Sequence, residues 1–130
     1  MFKTLALAAS AATLLVTSGC AYLSAPADKT PAMLVASALV APSGMTLYTF
    51  DNDAANSGKS ACNGPCAALW PPMMAATTDE PVGAYSIVNR DDGSRQWAYK
   101  GKPVYTYKAD QKAGERSGDN FNNLWRIITE

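Results

Sequence analysis

The sequence contains no histidine, few cysteines and no surplus of either charge. Histidine is the commonest metal ligand and the usual general base near neutral pH, so its absence argues against Ser-His or Cys-His catalysis and against His-bound metals. The 11 basic and 11 acidic residues cancel without forming runs, and a nucleic-acid partner needs clustered Lys and Arg. We therefore expect no nucleic-acid partner, no metal, no cofactor and no enzymatic activity.

A long apolar run is also missing. The apolar stretch from Leu5 to Val16 has 12 residues, whereas a membrane-spanning helix needs about 20. Lys3 precedes this stretch and the small residues Thr17, Ser18 and Gly19 follow it. This pattern is typical of a secretory signal peptide, which we place at residues 1–19.

The end of this segment resembles the bacterial lipobox, in which cleavage leaves a cysteine as the first residue and that cysteine is acylated. Ser18-Gly19-Cys20 fits the pattern, whereas Thr17 replaces the usual aliphatic residue. We expect lipidation of Cys20 and anchoring to the membrane, with cleavage by the ordinary signal peptidase as the alternative. Because Ala21 is not Asp, the resemblance implies an outer-membrane or periplasmic location if the host is Gram-negative.

The remaining chain predicts a tether over residues 20–32 and one β-rich domain over residues 33–130. Residues 21–32 are small, polar and interrupted by proline, as in flexible linkers. Beyond them, Met33–Val40 and Met45–Phe50 are expected to pair as a hairpin across Pro42-Ser43-Gly44, although a helix over 32–41 is an alternative. We predict an all-β fold: a small antiparallel domain of about six strands, made of two degenerate repeats, with one short helix beginning at Pro65.

Turn signals divide the second half of the chain into strands. Asp91-Asp92-Gly93-Ser94 is the clearest of them, and Gly101-Lys102 is another. We expect strands on both sides of each turn, and a last strand over residues 124–129.

A short pattern occurs twice in the chain. Tyr48-x-Phe50-x-x-Asp53 recurs as Tyr105-x-Tyr107-x-x-Asp110, and each copy is followed by a polar loop and a tryptophan, Trp70 or Trp125. The chain thus contains two repeats, near residues 47–70 and 104–125.

These motifs resemble the Y-x-[FWY]-x-x-D motif of the bacterial lipoproteins described as a "secreted repeat of unknown function". The segments CNGPCAALWPP, residues 62–72, and DDGSRQWAYKGKPVY, residues 91–105, also resemble that family. The likeness covers about residues 33–128. It implies an envelope location and a repeat-built domain, and it implies no activity.

The aromatic residues of the repeats are expected to share faces of neighbouring strands. Residues two apart point to the same side of a strand, so Tyr48 pairs with Phe50, Tyr105 with Tyr107 and Trp97 with Tyr99. We expect an aromatic cluster or face that also includes Trp70 and Trp125. It forms the core of a small domain, or alternatively a platform for a ring-shaped ligand.

Asp53 and Asp110 each follow a motif strand where it gives way to a loop. A carboxylate at such a position accepts backbone N–H bonds and holds a turn. The alternative is a Ca²⁺ site at Asp51, Asn52 and Asp53, but the spacing departs from that of an EF-hand loop.

The cysteines Cys62 and Cys66 remain as a pair once Cys20 is acylated. In an oxidising compartment we expect them to form a disulfide, which for a five-residue loop stabilises the fold by about 2 kcal/mol. The alternative is a Cu(I) site with Met73 or Met74, or a thiol-redox centre. The favoured function is a non-enzymatic binding or structural module of the cell envelope; the alternative is a copper-binding or thiol-redox accessory protein.

Overall fold

A computed structural model describes residues 30–129 of the chain. The predicted signal peptide, Cys20 and most of the predicted tether lie outside the described residues, as does Glu130. Within the described range, no helix is both long enough and apolar enough to cross a membrane.

The domain consists of short strands in three small antiparallel sheets, with one short helix and one 3-10 turn. In chain order, the elements are β1 (Met33–Val35), β2 (Ala38–Val40), β3 (Tyr48–Phe50), α1 (Pro65–Leu69), β4 (Tyr85–Asn89), β5 (Arg95–Tyr99), β6 (Lys102–Pro103), the 3-10 turn (Phe121–Asn123) and β7 (Trp125–Ile127). The sheets are β1-β2, β3-β7 and β4-β5-β6. The predicted all-β class is therefore confirmed.

Local turn chemistry explains several of these elements. Helix α1 begins at Pro65, whose fixed φ suits the first helical position. The β4-β5 hairpin turns at Asp91–Ser94 as predicted, with Asn89 paired to Arg95. The side-chain hydroxyl and the backbone N–H of Ser94 both donate to the exposed Asp92 carboxylate, which closes that turn. These hydrogen bonds lower the pKa of Asp92.

The N-terminal part of the domain differs from the prediction. Met33–Val40 is not one strand, because the chain turns back at Ala36 and Ser37, whose φ angles are 48° and 65°. Small side chains tolerate this left-handed conformation better than bulky ones, and a turn with two positive φ values suits a tight hairpin. The result is the β1-β2 hairpin, in which β2 is buried and β1 is exposed.

The predicted hairpin across Pro42-Ser43-Gly44 is correct only close to its turn. The Ala41 N–H donates to the Met45 carbonyl and the Leu47 N–H donates to the Leu39 carbonyl, both at 2.9 Å. Beyond this point, β3 pairs with the C-terminal strand β7 instead. The first repeat is thereby joined to the C-terminal strand.

The core has two parts because neighbouring residues on a strand point to opposite sides. Leu47 and Val104 enter the first core cluster, whereas the adjacent Tyr48 and Tyr105 enter the second. The first cluster contains the buried residues Ala32, Leu39, Ala41, Leu47, Tyr85, Trp97, Val104 and Ile128. The second, which we name the aromatic cluster, contains Tyr48, Phe50, Cys62, Trp70, Tyr105 and Trp125, with Tyr107 and Cys66 packed against it.

Candidate functional site

The two motif tyrosines meet at the centre of the aromatic cluster. The Tyr48 N–H donates to the Tyr105 carbonyl at 2.7 Å, and the Tyr105 N–H donates to the Tyr48 carbonyl at 2.9 Å. This reciprocal pair is an antiparallel bridge between equivalent positions of the two repeats. The repeats are thus related by an approximate two-fold axis that passes between these residues.

The tyrosine side chains cross from one repeat to the other. The Tyr48 hydroxyl donates to Asp110 Oδ2, and the Tyr105 hydroxyl donates to Asp53 Oδ2, both at 2.5 Å. Each aspartate therefore bonds the tyrosine of the other motif, not the tyrosine of its own. We call these two contacts the crossed Tyr–Asp pairs.

Each aspartate also holds the loop that follows it. Asp53 Oδ1 accepts the Ala61 N–H at 2.6 Å, eight residues further along the chain. Asp110 Oδ1 accepts the Ser117 N–H at 3.0 Å, seven residues further along, as well as the Ser117 hydroxyl. The carboxylates thus close wider loops than the local turns that the sequence suggested.

Burial raises the pKa of both motif tyrosines above the ordinary value, and the hydrogen bond to the opposing aspartate raises it further. Ionising either phenol would place a second negative charge beside a buried carboxylate. Both hydroxyls are therefore protonated donors over the physiological pH range.

Four rings form one continuous stack beside these pairs. Trp70 and Trp125 lie face to face in the middle, with ring centroids 3.8 Å apart. Phe50 stacks on Trp125 at 4.3 Å, and Tyr107 stacks on Trp70 at 4.0 Å. Each ring outside the central pair thus lies on the tryptophan of the other repeat, which repeats the exchange seen in the crossed pairs.

The predicted aromatic face is divided between the two core clusters. Trp97 lies in the first core cluster, and the half-buried Tyr99 packs against it, with Tyr85 contacting both rings. Trp97 and Tyr99 come from β5, and β3 and β5 belong to different sheets. The expectation of a single cluster of all these rings is therefore wrong, because the strands concerned are not neighbours.

Cys62 and Cys66 form a disulfide, and Cys62 is fully buried in the aromatic cluster. In the second repeat, Phe121 precedes Trp125 by four residues, as Cys66 precedes Trp70. The Phe121 ring contacts Trp70 edge-on, with centroids 5.7 Å apart. A disulfide thus closes the loop of the first repeat, whereas an aromatic contact of Phe121 holds the corresponding loop of the second.

Sequence reasoning missed Arg90, which is buried beside the disulfide loop. Its Nη1 donates to Gln96 Oε1 at 2.7 Å and to Ser60 Oγ at 2.9 Å, and its Nη2 donates to the Cys62 carbonyl. The Ser60 hydroxyl lies 2.6 Å from the Tyr105 hydroxyl, which in turn bonds Asp53. A chain of two hydroxyls therefore connects the buried guanidinium to a buried carboxylate.

Gly118 is a second residue that the sequence did not single out. A Cβ at this position would lie 2.6 Å from Trp70 Cη2 and 3.0 Å from Tyr48 Cε1. The Gly118 N–H donates to the Tyr48 hydroxyl at 3.2 Å. The absence of a side chain allows the backbone to lie against the tryptophan and complete the bonding of the phenol.

The part of the chain that the structure describes contains no cluster of metal ligands. Across residues 30–129, no group of three or more Cys, Asp or Glu side chains converges as a metal site would require. Met73 is half-buried against the first core cluster, whereas Met74 is exposed. Asp51 forms an ion pair with Arg126 at 3.1 Å, so its carboxylate already has a cationic partner.

Taken together, the crossed pairs and the ring stack define a class: a small β domain made of two interlocked repeats. Residues 37–74 and 86–129 each match the family described as "secreted repeat of unknown function", and the chain belongs to that family. The suspected family is therefore confirmed, and its two matched segments correspond to the two structural repeats. No curated protein and no solved structure matches the chain.

Proposed function

We propose that this protein is a lipid-anchored module of the cell envelope that binds or organises another envelope component without catalysing a reaction. One observation supports this most strongly: the polar groups of the repeated motif are engaged with one another. Both aspartates and both tyrosines are buried and hydrogen-bonded across the repeats. Polar groups that are buried and bonded to one another in this way stabilise the fold. Recognition of another component then falls to residues on the surface.

The proposed location combines two observations. The family is described as secreted, which supports a position outside the cytoplasm. Ser18-Gly19-Cys20 then supplies the acylation site, and the acyl chains hold the domain at the membrane. In a Gram-negative host, Ala21 favours the outer membrane or its periplasmic face.

Intact mass of the native purified protein tests the anchor. We expect a chain that begins at Cys20, carries acyl chains and lacks two protons at Cys62 and Cys66. Replacing Cys20 by Ser should move the protein from the membrane fraction to the soluble fraction. A native chain that begins beyond residue 20, or an unchanged membrane fraction, would contradict the anchor.

The second candidate is a copper-binding or thiol-redox accessory protein. It draws on Cys62 and Cys66, because Cys66 is only partly buried and thus open to attack by a thiolate. Reduction followed by titration with Cu(I) tests it, with the Cys62→Ala/Cys66→Ala variant as the control. The structural proposal expects no tight copper binding and a loss of about 2 kcal/mol in stability on reduction.

A further inference from the structure

The hairpin β1-β2 exposes an apolar strand on the surface of the domain. Met33, Leu34 and Val35 have exposed fractions of 57%, 42% and 49%, whereas the partner strand β2 is wholly buried. Ala36 and Ser37 at the turn are exposed as well, so five consecutive residues present no charge to solvent. Apolar residues exposed together in this way mark interaction surfaces more often than those scattered singly.

We propose that this strand docks on the surface of the bilayer that holds the lipid anchor, so that the domain lies against the membrane with β1 facing the lipid. The proposal rests on the proposed anchor at Cys20. We call residues 33–37 the docking strand.

Chain length places the docking strand within reach of the bilayer. Thirteen residue steps separate Cys20 from Met33, and a segment of this length spans at most about 45 Å. The docking strand is the first strand of the domain, so it is the element tied most closely to the anchor. A tethered surface meets its partner at a high effective concentration, and a weak apolar contact then suffices.

Charge next to the docking strand suits a phospholipid surface. Arg116 Nη2 donates to the Ala36 carbonyl at 2.7 Å, which places a guanidinium at the tip of the hairpin. Val35, Ala113 and Arg116 line the same groove, and the exposed Lys112 precedes Ala113. The Glu115 carboxylate of this loop accepts the Gln111 N–H. Apolar residues flanked by basic ones are typical of segments that lie in the membrane interface.

The size of the docking strand argues against a second copy of the chain as its occupant. Stable protein interfaces use about 20–30 residues from each partner. The docking strand has five consecutive residues, of which only the three of β1 are in a β-strand. A bilayer, by contrast, needs no complementary surface of defined shape.

The test uses the acylated protein in vesicles of phosphatidylcholine with and without phosphatidylglycerol. Leu34→Cys is labelled with an environment-sensitive fluorophore, since the disulfide protects Cys62 and Cys66 and acylation blocks Cys20. Leu69→Cys, labelled in the same way, is the matched control, because Leu69 has an exposed fraction of 53% on helix α1. Flotation of the vesicles reports the anchor separately.

We expect the label at residue 34 to become brighter on vesicles and to be quenched by spin-labelled lipid, and the label at residue 69 to remain unchanged. Adding Met33→Asp and Val35→Asp should weaken docking about tenfold, because two apolar side chains lose their burial in lipid. Lys112→Gln should weaken docking only on vesicles that contain phosphatidylglycerol.

Other outcomes overturn the proposal. If the protein floats with the vesicles and neither label responds, the anchor stands and the docking fails. If both labels respond equally, no particular face meets the lipid. If the label at residue 34 responds to protein concentration without vesicles, the occupant is a second copy. If the protein does not float at all, both the anchor and the docking are wrong.

Discussion

Trp70 and Trp125 stack face to face, with their planes only 4° apart, although 55 residues separate them in the chain. They occupy equivalent positions in the two repeats, and Tyr48 and Tyr105 contact them edge-on at 5.3 and 5.1 Å. A repeat with this sequence therefore cannot complete its core alone, because its tryptophan is covered by rings of the other repeat. The recurring motif therefore serves to pack the two repeats against each other.

The crossed Tyr–Asp pairs predict a loss of stability when one hydroxyl is removed. Tyr48→Phe leaves Asp110 Oδ2 and the Gly118 N–H without the bonds that they make in the native fold. A buried polar group without its partner costs about 1–3 kcal/mol, so the free energy of unfolding should fall by that amount. Chemical denaturation measures it.

Tyr105→Phe should behave in the same way, because the approximate two-fold axis gives it the equivalent bond to Asp53. The control is Tyr99→Phe, since Tyr99 is only half-buried on β5, and it should change stability by no more than about 0.5 kcal/mol. If both motif variants are as stable as the control, the crossed pairs contribute nothing to folding.

Alkaline pH should unfold the domain through the same two phenols. Folding raises the pKa of Tyr48 and Tyr105, chiefly by burial, so their contribution to stability is complete below the ordinary tyrosine pKa of about 10. That contribution is lost as the pH rises above this value. Absorbance of the phenolate at 295 nm measures the titration, and circular dichroism measures the fold.

We expect Tyr48 and Tyr105 to ionise only together with unfolding, because folding raises the pKa of both. In Tyr48→Phe, the number that ionise with unfolding should fall by one. Reversible ionisation of all the tyrosines near pH 10 with the fold intact would show that the motif phenols are not held by the carboxylates.

Much of the fold was accessible from sequence because its signals are local. Pro65 begins the helix, the turn at Asp91–Ser94 gives a hairpin, and Cys62 and Cys66 are close enough in the chain to be paired. Each of these features depends on a few neighbouring residues. The repeat was likewise visible, because the same side chains recur at the same spacing.

The exchange between the repeats could not be predicted in this way. Residues Tyr48 and Asp110 are 62 positions apart, and nothing in either motif says whether its tyrosine bonds its own aspartate or the other one. The bridge between Tyr48 and Tyr105 places each tyrosine beside the other motif, and it is a long-range contact. The turn at Ala36 and Ser37 was missed for another reason, since neither residue is a usual signal for positive φ.

Replacing the buried Arg90 should lower the free energy of unfolding more than replacing a surface cation. Arg90→Met removes the donors to Gln96, Ser60 and the Cys62 carbonyl while leaving those acceptors buried. We expect the free energy of unfolding to fall by about 3 kcal/mol. Lys59→Met is the control, because the ion pair of Lys59 with Asp91 is exposed, and it should change stability by about 0.5 kcal/mol or less.

Arg90→Lys separates charge from geometry. A lysine keeps the positive charge but has no fork of N–H groups to reach three acceptors at once. We expect it to restore less than half of the lost stability in thermal or chemical denaturation. Full restoration by lysine would mean that Arg90 acts only as a counter-charge to the carboxylate of Asp53.

A single methyl group added at Gly118 should disturb the ring stack. In Gly118→Ala, the new Cβ meets Trp70 at 2.6 Å, which is closer than such atoms approach in folded proteins. Backbone around the rings must shift, and overpacking of this kind costs about 1–3 kcal/mol. The near-ultraviolet circular dichroism of the stacked tryptophans should change as well, because the coupling between Trp70 and Trp125 depends on their separation.

The control for this variant is Gly93→Ala at the β4-β5 turn. A Cβ at Gly93 meets open space, but its φ of +83° strains any L side chain. Both variants should therefore lose stability, whereas only Gly118→Ala should alter the tryptophan signal. If Gly93→Ala changes that signal equally, the spectrum reports general loosening, and if Gly118→Ala leaves it intact, Gly118 does not support the stack.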